Sequence, residues 1–293
     1  MSNHFKVFMG LALATAPMLL SSCSPSKFAI ESVMVPVLDN ARAAALASND
    51  IEMFRDGAPG NIFLAEGLVR TDPENGSLRI NISLLYFSYA FAFLEDENED
   101  RAGRLYENGF RHGLAALQLN RKFVSDWDVS FKEFEKSLKH LKKEDVPAAM
   151  WTAANRAQFI SIHLDSTAVL RDIAKVTSLL ERAAELDPEY FNGLVHIMIG
   201  SLHAFRPPMM GGDPEKSLAN FETAFAIGGE GFLLARYFYA RFYCYRVQDG
   251  EAFTRALESV ASAAIADVDP YRLLNLIAKQ KSAILLGDFD DLF

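Results

Sequence analysis

The chain has 293 residues, half of them hydrophobic, with 29 basic against 38 acidic side chains and a net charge of −9. That acidic balance argues against nucleic acid or anionic lipid as the main partner, because neutralising phosphates needs clustered lysine and arginine. With two cysteines there is no disulfide framework to build on.

At the N-terminus, Lys6 precedes a mostly apolar run from Val7 to Leu20, too short to span a bilayer, which closes on Leu20-Ser21-Ser22-Cys23. A hydrophobic residue, two small residues and a cysteine read as a bacterial lipobox. Residues 1–22 are therefore expected to be a lipoprotein signal peptide, and 23–293 a single domain anchored by lipid on Cys23. Ser24 stands where an aspartate would signal inner-membrane retention, which favours the inner leaflet of the outer membrane, facing the periplasm. Cleavage removes one lysine and no acid, taking the net charge from −9 to −10. Cys244 then remains alone in an aromatic segment, as a small buried hydrophobe.

Beyond the leader no segment alternates as a strand does. Apolar residues recur at helical spacing between short Asn, Gly, Asp and Pro breaks. The pattern predicts helices near 28–48, 60–70, 77–95, 100–119, 130–142, 147–164, 168–186, 190–205, 214–227, 231–247, 250–265 and 270–286. The clearest breaks are Gly57-Ala58-Pro59-Gly60, Thr71-Asp72-Pro73, Asp187-Pro188, Pro207 to Pro214, Gly228-Gly229 and Asp267 to Pro270. An all-α chain follows, solenoid-like or bundle-like.

Cryptic repetition favours the solenoid. Val176, Leu180, Ala183 and Pro188 match the small-and-large spacing that ends a tetratricopeptide unit, and Ser217, Phe221 and Ala224 repeat it with Gly229 in place of the proline. Ala183 and Ala224 lie 41 positions apart against the 34 of that unit, making Arg206 to Gly212 a loop insertion. Ala102, Tyr106 and Gly109 form a degenerate copy.

The segment Pro207-Pro208-Met209-Met210-Gly211-Gly212-Asp213-Pro214-Glu215-Lys216-Ser217, with Phe221-Glu222-Thr223-Ala224, resembles the signature of the T-component lipoproteins of tripartite ATP-independent periplasmic (TRAP) transporters. Trp151, Leu186-Asp187-Pro188-Glu189-Tyr190, Asn275-Leu276-Ile277-Ala278, Lys281 and Leu285-Leu286 agree with it. Ser217 replaces the usual alanine, and the first hundred residues agree mainly in pattern. The resemblance covers roughly residues 25–293. It implies a tetratricopeptide-like periplasmic lipoprotein that self-associates, as a trimer, and docks the solute-binding subunit of the transporter. It brings no catalytic residues, and it leaves one alternative, a generic tetratricopeptide lipoprotein in outer-membrane or envelope assembly.

The signature has local explanations as well. Pro207 and Pro208 end a helix, Gly211 and Gly212 permit positive φ, Asp213 suits an N-cap and Pro214 the first helical position. The other reading makes Pro207 to Asp213 a partner loop, with Met209 and Met210 as adaptable apolar contacts. Enzyme motifs are missing: no nucleophile elbow, Walker loop, H-E-x-x-H or paired Cys-x-x-Cys, so neither catalysis nor a cofactor is expected. His196 and His203 share a helix face without the further ligands a metal needs. The acidic run Glu95 to Asp100 lacks an EF-hand pattern and reads as a solvated turn.

Aromatic loading remains. Twenty-three phenylalanines concentrate in two segments, Tyr86 to Phe93 and Tyr237 to Tyr245. In the first, Tyr86, Tyr89 and Phe93 share one face and Phe87 and Phe91 another, as in a helix sandwiched between neighbours. In the second, Arg236, Tyr239, Tyr243 and Arg246 follow one face with Phe242 beside them. This face is either core or the wall of a cavity or pore that receives a hydrophobic organic acid, arginine taking the carboxylate.

Overall fold

The computed structural model describes residues 25–124, 126–164, 166–206 and 211–293. Cys23, the leader and Pro207 to Met210 lie outside the described residues. Within them there is no strand. The helices are α1 (25–46), α2 (Ile51–Thr71), α3 (76–94), α4 (Glu99–Leu117), α5 (Phe131–Leu138), α6 (Val146–Ser161), α7 (Ile173–Leu186), α8 (Tyr190–Phe205), α9 (Pro214–Gly228), α10 (234–247), α11 (Gly250–Ser262) and α12 (Arg272–Gly287).

Local chemistry starts many of them. The side chains of Asp50, Asn75, Asn98, Asp213 and Asp249 each accept from the backbone N–H three residues on, and Ser130 with Glu133 forms a reciprocal capping box. Consecutive helices then pack on one another: α3 on α4, α6 on α4 and α7, α8 on α7 and α9, α10 on α8, and α11 on α10 and α12. The last helix, α12, returns to touch α1 and α2.

The repeated small and large positions sit at these crossings. Val176, Leu180, Ala183, Ser217, Phe221, Ala224, Ala102 and Tyr106 are all fully buried. A Cβ on Gly109 would lie 2.2 Å from Asn155 Oδ1, so α4 and α6 approach closely there. Both aromatic faces of α3 are covered: Phe87, Tyr89, Phe91 and Phe93 are buried and Tyr86 half-buried.

Three segments depart most from the sequence reading. The break at Gly57 to Gly60 is absent, and α2 runs straight through Pro59. Ala58, Ile62, Ala65 and Val69 form a buried stripe along it, and this burial outweighs the local preference of proline and glycine to stop a helix. The predicted helix over 168–186 is a single turn, Thr167–Leu170, followed by α7; Asp172 at the junction starts α7 by accepting from Val176 N with its carbonyl, while its carboxylate holds Arg156 of α6. At the start of α8, Phe191, Asn192 and Gly193 are left-handed, with φ of 50°, 57° and 76°. Asn and Gly tolerate this region and phenylalanine does not. Phe191 is held there by edge-on packing on Trp151 (5.4 Å) and Tyr271 (5.6 Å).

Candidate functional site

Helix α10 carries the aromatic face. Its inner side is core: Tyr237, Phe238, Ala240 and Cys244 are buried, and the Phe238 ring stacks on Phe91 of α3 at 5.4 Å. The turn Tyr239–Cys244 is a π-turn, a wider coil that re-aims side chains and recurs at functional sites.

Tyr239, Phe242 and Tyr243 do gather on the outer side, each half-buried. Tyr239 and Tyr243 stack at 5.2 Å, and Tyr239 also meets Phe221 and Phe225 of α9 edge-on. Burial pushes both phenols up, the Cys244 thiol beside them adding to the effect. Arg236 is tied back to Glu230 and does not stand free over the rings. Arg246 is half-buried in the last turn of the helix. The Cys244 thiol is pushed up to about 11 by burial, so at neutral pH it behaves as an apolar group.

Beneath that face lies a cluster that sequence reasoning missed. Glu95, taken as part of a solvated turn, is instead drawn inward, its side chain only 3% exposed. A second π-turn, Ala90–Leu94, underwinds the end of α3 and points the following residue at the core. There Glu95 accepts from Tyr106 of α4, from Gln158 Nε2 of α6 at 2.6 Å and from Arg241 Nη1 of α10 at 2.7 Å. Lys281 of α12, 2% exposed, lies 3.8 Å from Glu95, bonds Asp96 and sits over the Phe91 ring at 4.9 Å. Burial alone would raise the Glu95 carboxyl, but the charges of Arg241 and Lys281, with hydrogen bonds from Tyr106 and Arg241, bring it below the usual range. Every charge here has an opposite partner, and the cluster ties together α3, α4, α6, α10 and α12.

Of the signature loop, Gly211 has φ +83°, and Asp213 Oδ1 accepts from Lys216 N at 3.0 Å, so the turn and the N-cap are both present. The Ser217 hydroxyl donates to the Gly200 carbonyl at 2.8 Å across the α8–α9 crossing. His196 Nδ1 lies 3.1 Å from Asn220 Oδ1, and His203 is buried.

Comparison with known proteins decides what these parts belong to. The profile of the TRAP transporter T-component family matches residues 47–293. The chain belongs to this family. It is also similar to an uncharacterised protein of Treponema pallidum (strain Nichols), at 23% identity over 264 residues, covering 84% of this chain and 81% of the relative. A T-component is an accessory part of a TRAP transporter, which is not an enzyme class, and it places the chain in the cell envelope.

Proposed function

We propose that this T-component is a periplasm-facing scaffold, held by lipid on Cys23 to the inner leaflet of the outer membrane, that self-associates and docks the solute-binding subunit of its transporter. Family membership over residues 47–293 is the observation that carries the reading. The lipobox supports the anchor. Self-association is supported by large apolar side chains standing in solvent on the first two helices: Phe28, Val33 and Val37 of α1, and Met53, Phe63 and Leu64 of α2, from 47% to 78% exposed. A trimer is the expected form. The half-buried face of Tyr239, Phe242 and Tyr243, flanked by Arg236 and Arg246, is proposed to contribute to a wall for a hydrophobic organic acid, and the loop Pro207 to Asp213 to contact the partner.

Affinity capture with the detergent-solubilised full chain tests this. Solute-binding and permease subunits of a TRAP system should be recovered, and sedimentation should give more than one copy per particle. Recovery of outer-membrane assembly proteins with no transporter subunit would replace the reading with a general envelope scaffold. Cys23→Ser should move the protein out of the detergent phase, and unchanged partitioning would remove the anchor.

A further inference from the structure

On an acidic chain, one surface collects positive charge. A cleft of about 790 Å³ opens between the N-terminal end of α3, the connection from α4 to α5 and the connection from α5 to α6. Arg121, Lys122, Lys139 and Lys142 line it, all exposed. Lys142 pairs with Glu144 at 3.3 Å, whereas Arg121, Lys122 and Lys139 have no acidic partner among the described residues. The N-terminus of α3, at Gly76 and Ser77, opens on the same space and adds its dipole.

The connections that carry these cations are joined by one amide. Asn120 Nδ2 donates to the His140 carbonyl at 3.2 Å and to Asp145 Oδ2 at 3.0 Å, while its Oδ1 accepts from Lys122 N at 3.1 Å. Asp145 also accepts from Lys142 N at 2.9 Å. Both cation-bearing connections are thereby fastened to each other, and Asp145, the second acid of the cleft, has its carboxylate already occupied. The floor is apolar: Ile80, Ala116, Leu119 and Ala148, with Leu119 41% exposed.

We propose that this cleft is a docking site for an acidic segment of a protein partner, a stretch in which aspartate or glutamate side chains flank an apolar residue. A single small anion would need donors converging in a dry pocket. Here the positive charges are spread along open banks, so their attraction adds up only for a ligand whose negative charges are also spaced along its length. The exposed Leu119 asks for an apolar side chain between them. The site would serve the docking proposed above, but it does not rest on the identity of the transporter.

The test uses the full chain in detergent with a fluorescein-labelled peptide of alternating glutamate and leucine, and its lysine-for-glutamate counterpart, followed by anisotropy. Saturable binding of the acidic peptide alone is expected, weakening as salt shortens the Debye length from roughly 14 Å to roughly 5 Å. Combined Arg121→Glu, Lys122→Glu and Lys139→Glu should weaken it more than about tenfold, and Lys216→Glu with Arg255→Glu should leave it unchanged. Should the triple variant lose its helical signal, Leu119→Ala carries the test, with an expected loss of about threefold. Absence of binding, or binding indifferent to salt or to these cleft variants, overturns the proposal. So does an outcome in which phosphatidylglycerol vesicles, and not the peptide, bind through the same residues.

Discussion

Where α8 crosses α9, contact is made by shape. A Cβ on Gly200 would lie 3.0 Å from the Phe221 ring, Ser217 and Ala224 are fully buried, and one hydroxyl–carbonyl hydrogen bond spans the crossing. Where α3, α10 and α12 meet, contact is made by charge: Glu95 and Asp96 against Arg241 and Lys281. The two junctions respond differently to damage. A shape contact loses stability in proportion to the misfit, whereas a buried ion that loses its counter-ion keeps its full desolvation cost.

The largest effect is therefore expected at Glu95. Glu95→Ala leaves Arg241 without its counter-ion and Lys281 with Asp96 alone, and should destabilise by about 3–5 kcal/mol in urea unfolding. A loss below about 1 kcal/mol would mean that water reaches the cluster and that the helices are joined by packing alone.

At the shape junction, Ala224→Phe forces a ring into a crossing with no room and should cost about 1–3 kcal/mol by the same measurement. Tolerance would show that α8 and α9 can separate. This junction was legible in the sequence, because small and large residues at fixed spacing on one helix, and the caps at its start, are local properties. The charged junction was half-legible. Arg241 falls between Tyr237 and Cys244, and Lys281 follows Leu274 and Ile277, so both cations occupy core register on their helices. The acids they meet are 146 and 185 positions away, and nothing local in Glu95 to Asp100 tells the inward carboxylate from the solvated ones. The unbroken α2 was illegible for a related reason, since what offsets Pro59 is apolar burial along the helix and not anything beside it. Of the candidate face on α10, the rings of Tyr239 and Tyr243 come together as read, whereas the attachment of Arg236 to Glu230 depends on the loop before the helix.

Acid separates the two kinds of contact again. His203 titrates below the ordinary 6.5 because burial, with Arg206 and Lys216 nearby, disfavours its charged form, and His112 is lowered by burial as well. Glu95 is lowered from 4.5. In each case the folded state binds its proton less readily than the unfolded chain. Their stabilisation is complete above the unfolded value and is lost as pH falls through the folded one. Melting temperature should decline in two stages, first below pH 6.5 from the histidines and then below pH 4.5 from Glu95. His203→Leu should shrink the first stage, leaving the part due to His112, and keep the second intact. A single stage unaffected by His203→Leu would contradict this assignment.

The smallest effect isolates burial from charge on one helix. Arg236 and Arg241 both lie on α10 and both pair with a glutamate, Arg236 with Glu230, whose side chain is 93% exposed, and Arg241 with Glu95, at 3%. If proximity of opposite charges were what mattered, Glu230→Ala and Glu95→Ala would cost similar amounts. Arg236 and Arg241 are about equally exposed, at 21% and 24%, so the pairs differ in their glutamates: water screens the first pair through the exposed Glu230, and Glu230→Ala should change stability by less than about 0.5 kcal/mol. Arg236 also keeps its hydrogen bond to the Glu230 carbonyl, which the substitution does not remove. Urea midpoints for the two variants, compared with the parent at one ionic strength, give the ratio directly. A Glu230→Ala loss approaching that of Glu95→Ala would mean that the loop from Gly228 to Phe232 is held by its ion pair and not by the burial of Phe232.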